Sequence, residues 1–233
     1  MRRKSVIALL LMLVLVPAVP LLAWKMGSGM YYLTSALVIL LSLAAFLVSY
    51  ESRHPSARDL VVIAVMTAIG TVSRAAFIML PNIKPVTGII MITGASLGPE
   101  AGFLTGILTA FVSNFFFGQG PWTPWQMFAY GLGGLIMGLL CKKGLLNRRN
   151  IPAMAAAGGL LVLCLIGPLL DTGTLFLASA MTKGGVAAVY AAGLPVNLIH
   201  AVSTALTILF LCRPIDDKLT RIKRKYGLME VDK

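Results

Sequence analysis

The sequence is poor in charge. Only 12% of its residues are Asp, Glu, Lys or Arg, against about 25% in an ordinary soluble domain. Hydrophobic residues make up 58%, and the mean hydropathy is +0.88. A soluble core this apolar would leave too few polar residues to cover its surface; lipid as solvent removes that demand. Cysteine is scarce as well. Cys141, Cys164 and Cys212 show no CxxC spacing and no histidine partner, so neither a zinc site nor a disulfide framework is implied. His54 and His200 are the only histidines. HExxH, GxSxG and P-loop patterns are all missing. The chain is therefore not itself the ATPase of a pump, and no catalytic residue, metal ligand or cofactor is assigned.

What is present is a series of long apolar runs. A helix needs about 20 apolar residues to cross the hydrocarbon core. Eight segments qualify as candidates: Val6–Trp24, Tyr31–Tyr50, Leu60–Leu80, Pro85–Gly98, Ala101–Gly118, Trp125–Cys141, Pro152–Ala180 and Val186–Cys212. The fourth is short. The last two are long enough for a tilted helix or a helix plus an interfacial turn. The net charge of +12 collects at the edges of these runs, at Arg2–Lys4, Arg53 and Arg58, Lys142–Lys143, Arg148–Arg149 and Arg213–Lys225. That placement marks topology rather than a nucleic-acid groove. With the N-terminus in the cytoplasm, all of these clusters face the cytoplasm. With Lys233 they make 16 of the 20 Lys and Arg; only Lys25, Arg74, Lys84 and Lys183 fall elsewhere. The expectation is a multi-pass cell-membrane protein with both termini cytoplasmic. The competing reading of the first segment is a signal peptide, although an A-x-A site is missing and Pro17 and Pro20 crowd its end.

The expected fold class is all-α, a polytopic integral membrane protein in three parts. Residues 1–57 form an accessory hairpin of two plain Leu/Val/Ala spans, residues 58–212 a six-span core rich in glycine and polar groups, and residues 213–233 a basic cytoplasmic tail. For that tail, anionic lipid is the default contact. Gly98, Gly102, Gly106 and Ala110 recur every four residues, as do Gly134 and Gly138, and Ala64 and Ala68. Small residues at that spacing let membrane helices approach closely.

Polar groups inside spans are costly and raise functional hypotheses. The core carries Arg74, Asn114, Asp171, Asn197 and His200, most of them toward the outer half of the membrane. Snorkelling is the alternative for Arg74, interhelical hydrogen bonding for Asn114, Asn197 and His200, and pairing with Arg74 or Lys183 for Asp171. The outer connections read Pro81-Asn-Ile-Lys84-Pro85, Gly118-Gln-Gly-Pro-Trp-Thr-Pro-Trp-Gln126 and Met181-Thr-Lys183-Gly-Gly185. Proline and glycine make the middle one a shaped, non-helical segment. Trp122 and Trp125 bring π faces, Gln119 and Gln126 amides, and Lys84 and Lys183 charge. An aromatic belt at headgroup level would use the same tryptophans. Together these residues describe a substrate-binding cavity open to the outside and roofed by loops, suited to a planar heterocycle with accepting groups.

The stretches Ser73–Phe77, Pro81–Pro85, Gly94–Phe103 and Phe111–Met127, above all Gly118-Gln-Gly-Pro-Trp-Thr-Pro-Trp125, resemble the substrate-binding S components of energy-coupling factor (ECF) vitamin transporters. The resemblance covers about residues 58–212 and implies a six-helix S-component core that captures a vitamin or vitamin precursor from outside. It also implies partners: a transmembrane coupling protein and two ATPase subunits. The family's Ala-x-x-x-Ala docking face matches Ala64-Val-Met-Thr-Ala68, which makes these two alanines the expected coupling-protein contact. The N-terminal hairpin departs from the usual fold of six spans. Cobalamin or its benzimidazole precursor is the family-level substrate guess, with flavin or another vitamin open. Transport would proceed by alternating access, with energy from the partners. Two other classes stand beside it: an intramembrane enzyme using Asp171 and His200, and a ligand-free assembly factor.

Overall fold

In a computed structural model of the protein, the residues described are 56–120, 122–177 and 183–228, together with Leu37, an isolated helical residue; the side chains of Phe176 and Lys183 fall outside this set. The two N-terminal candidate spans, Leu37 apart, therefore lie outside the described residues.

Helix α1 spans Ala57–Ala76. It opens on a capping box, in which the Asp59 N–H donates to Ser56 Oγ (3.2 Å) and the Ser56 N–H donates to Asp59 Oδ2 (2.9 Å). Both donors are orphans of a helix start, so the box satisfies them locally. The expected span ran to Leu80, but Phe77–Asn82 forms turns instead. Leu80 precedes Pro81, whose ring disfavours helix at the residue before it. Asn82 then takes a left-handed φ of 61°, a region asparagine tolerates.

Helix α2, Val86–Leu97, is 12 residues long and buried along almost its whole length. At 1.5 Å per residue it covers only about 18 Å and cannot cross a bilayer alone. It is instead the central post around which the longer helices stand. Gly98, at φ 111°, makes the turn into α3, Pro99–Phe117, with proline in the first turn. Helix α4 is Thr123–Lys142 and α5 is Ile151–Leu161, capped by Asn150 Oδ1 on the Ala153 N–H. A π turn, Val162–Ile166, joins α5 to α6, Gly167–Leu177; there the Gly167 N–H reaches back five residues to Val162 O. Pro168 follows and has no N–H to give, so the ladder is remade around it. Residues Ile151–Leu175 thus run as one span.

Helix α7, Lys183–Tyr226, has 44 residues and encloses Pro195 and Pro214. It is about 66 Å long, twice the hydrocarbon thickness. The segment expected as a tail from Arg213 is therefore helical through Tyr226. It also packs: Leu219 and Ile215 join Ile63, Met66, Leu97 and Ala101 in one apolar cluster.

Five described helical runs are long and apolar enough to cross a membrane, and α2 is the sixth segment of the core. No strand occurs among the described residues. The chain is an all-α, multi-pass membrane protein. Its tightest contact joins α2, α3 and α4, where a Cβ on Gly94, Gly102 or Gly134 would collide with the backbone of another of the three. Backbones meet directly there, which only glycine permits. On the outside, α7 turns Leu194, Val202, Leu206 and Phe210 away from the bundle. Such faces are at rest against acyl chains.

Candidate functional site

Because consecutive segments run in opposite directions, the end of α1, the start of α2, the end of α3, the start of α4, the end of α6 and the start of α7 share one end of the bundle. Most of the basic residues, among them Lys142, Lys143, Arg148, Arg149 and those from Arg213 to Lys225, occupy the other. The polar residues near the first end resolve into three hydrogen-bonded groups.

The largest group centres on Asn114, which is fully buried. Its Oδ1 accepts from Arg74 Nη1 at 2.8 Å, and its Nδ2 donates to Thr123 Oγ1 (3.0 Å) and Gln126 Oε1 (2.9 Å). Three of the four bonds open to an asparagine are thus made. Arg74 Nη1 also donates to Ser113 Oγ at 2.6 Å, and its Cζ lies 4.6 Å from the Phe117 ring centroid. Thr123 Oγ1 accepts from the Gly120 N–H (3.2 Å) and donates to Gln119 Oε1 (2.9 Å), while Gln119 Nε2 donates to Phe111 O (2.9 Å). One continuous network therefore ties α1 to α3, to the connecting loop and to α4. The loop is held in shape from beneath by side chains of its own sequence motif. Arg74 is bonded inward rather than snorkelling to the headgroups.

The second group joins α6 to α7. Asn197 Nδ2 donates to Asp171 Oδ2 at 2.8 Å. Asp171 lies against Gly193 and Asn197 against Gly167, so neither glycine has room for a Cβ. Thr172 Oγ1 and Tyr190 Oη are 2.8 Å apart beside them. Asp171 takes Asn197 as its partner, not Arg74. The third group joins α2 to α7. Thr87 Oγ1 lies 3.1 Å from His200 Nε2 and 2.6 Å from Thr204 Oγ1, and the Lys84 N–H donates to Ser203 Oγ at 2.9 Å. His200 is 3% exposed. Asp171 and His200, the pair an intramembrane enzyme would need, belong to separate groups. Among the described residues no cluster of His, Cys, Asp or Glu could hold a metal.

The two tryptophans part company. Trp122 is half-exposed and its ring covers Gly120, whereas Trp125 is 3% exposed and packs on Gly173 of α6. Trp125 thus stands inside the bundle as a link between α4 and α6, not on the loop surface. Ala64 and Ala68 are exposed on α1, on one face with Val61, Val65 and Val72. The side chain of Lys183 lies outside the described residues. Ser113, Thr123, Thr87 and Ser203 take part in these groups without having been singled out from the sequence. Their only signal was the recurrence of hydroxyls within spans, which is common in membrane helices.

Comparison with known proteins adds an independent line. The model of the family described as "ECF-type riboflavin transporter, S component" matches residues 54–216. The chain is also similar to a UPF0397 protein of Vibrio atlanticus, 28% identical over 104 residues, which are 42% of this chain and 57% of that protein. A UPF0397 protein of Aliivibrio fischeri is 30% identical over 89 residues, or 36% of this chain and 48% of that protein. The chain spans about half the length of the curated relatives it matches. No solved structure matches it. The matched region begins just before α1 and ends in α7 beyond Pro214, so it takes in the whole polar end. On that match, the chain belongs to the family of ECF-type riboflavin transporter S components.

Proposed function

We propose that the chain is the substrate-capture subunit of an ATP-driven ECF importer, and that it takes up a vitamin-like heterocycle at the end of the bundle carrying Asn114 and Trp122. The observation that carries this is the family match over residues 54–216, the stretch that forms the described bundle. The family description names riboflavin, so riboflavin replaces cobalamin as the first ligand to test. The isoalloxazine ring is planar and rich in acceptors. Arg74, Gln119, Gln126 and Lys84 supply donors near that end, and Trp122 a partly open π face, with Lys183 a further candidate from the sequence. Asp171, Asn197, Asn114 and Trp125 hold α6, α7, α3 and α4 in register around it.

The basic end faces the cytoplasm, in keeping with the positive-inside rule. The partners are a coupling membrane protein and two ATPases, and the exposed Ala64 and Ala68 face of α1 is the contact with the coupling protein. The energy for release comes from those partners, because the chain has no P-loop of its own.

The full chain, purified without its partners, should quench flavin or tryptophan fluorescence on titration with riboflavin in the absence of ATP. Cobalamin and a vitamin panel serve as comparison. Folded protein that responds to no vitamin would sink the proposal; a response to another vitamin alone would correct the substrate and leave the capture role standing.

A further inference from the structure

The basic end of the bundle carries an open cavity of about 670 Å³. Its walls are the α2–α3 turn at Ser96–Pro99, the last turn of α4 from Gly138 to Lys142, the loop Gly144–Arg148, and Lys223 of α7. We propose that this cavity binds a phosphate group on an anionic ligand, a phosphomonoester or phosphodiester, at a site separate from vitamin capture.

Charge is the first argument. Lys142, Arg148 and Lys223 bring cations to the wall. Two carboxylates are near. Asp216 accepts from Ser96 Oγ at 2.7 Å and from Arg148 Nη1 at 3.3 Å, and Glu100 stands beside Gly98. Asp216 engages Arg148 through one nitrogen, while a guanidinium carries five N–H donors in a planar fork suited to phosphate. The Asp216 contact fixes the fork rather than using it up.

The remaining wall is consistent with that charge. Asn147 Oδ1 is taken by the Arg149 N–H at 2.9 Å, which leaves the amide N–H donors of Asn147 for another acceptor. Gly98, at φ 111°, offers no side chain to fill the space. Leu97 and Leu146 line the apolar side. The volume is within the range of about 300–1,000 Å³ usual for small-ligand sites. A basic pocket between helix ends suits a lipid headgroup; a free phosphate has the same chemistry.

The test uses the purified full chain. In one arm, native mass spectrometry counts retained phosphatidylglycerol against phosphatidylcholine. In the other, thermal shift compares inorganic phosphate with chloride at matched ionic strength. The variant K142Q/R148Q removes two cavity cations. K143Q/R149Q removes the same charge from neighbouring positions off the cavity wall. The expected result is a loss of about fivefold or more in one arm for K142Q/R148Q and less than about twofold for K143Q/R149Q. The arm that responds tells lipid from free phosphate. Equal losses in the two variants, or none in either arm, would overturn the proposal. If K142Q/R148Q fails to fold, K142Q/K223Q replaces it, because that variant leaves the Arg148–Asp216 pair intact.

Discussion

Asn114 shows how one polar residue in a span can organise an end of the molecule. It is fully buried, and it connects a guanidinium, a hydroxyl and a glutamine amide that stand on different elements. Replacing it with alanine leaves all three facing a void. A buried group deprived of its partner costs about 1–3 kcal/mol, and more than one is affected. N114A should therefore lower the melting temperature clearly and loosen the Gly118–Trp122 loop, which limited proteolysis would report as faster cleavage there. Wild-type melting and cleavage would refute the hub. Arg74, Asn114 and Gln126 were legible in the sequence because a polar group stands out in an apolar run. Their pairing was not. Ser113 and Thr123 are ordinary hydroxyls until the fold sets them beside a guanidinium. The burial of Trp125 was hidden for a related reason: its motif looks like a surface loop, and only the approach of Gly173 from α6 reveals how deeply it sits.

At the scale of elements, glycine spacing carried real information. The stripe Gly102 and Gly106 on α3 lies on Gly134, Tyr130 and Gly131 of α4, and Gly94 of α2 meets the same point. The variant G134V adds a branched side chain where the Gly102 backbone already stands. Flexible side chains cannot move aside, because the neighbour is main chain. Overpacking of this kind costs about 1–3 kcal/mol or more. The expected outcome is poor yield and an aggregated elution profile, while G144A, in open space but at φ 72°, is milder. A monodisperse G134V with wild-type melting would contradict the contact. Span existence was readable from apolar length; span ends were less so. Helix α1 stops short because of Pro81, and α7 runs past Cys212 because Leu219 and Ile215 find an apolar surface under α1 that no local pattern announces.

For the whole molecule, the question is which faces belong to lipid and which to a partner. Both look apolar and exposed. Ala64 and Ala68 differ from the lipid-facing Leu206 of α7 in size: small side chains let another helix approach. A64W/A68W should leave ligand binding within about twofold and reduce vitamin uptake by about tenfold or more, since the bulk blocks close approach of the partner helix. L206W serves as control and should transport normally. Uptake unchanged in A64W/A68W would remove α1 as the coupling surface.

Helix α7 also gives the molecule a mechanical property. It is about 66 Å long; Asn197, His200 and Ser203 stand near its middle, and Asp216 and Lys223 toward its C-terminal end. A tilt of ~10° about its midpoint sweeps each end through ~6 Å, in opposite directions. Pro195 and Pro214 are the flexure points at which such a lever can bend without breaking. A tilt about the polar groups at its middle therefore displaces the Asp216–Lys223 end, and a bend at Pro214 takes up part of that movement.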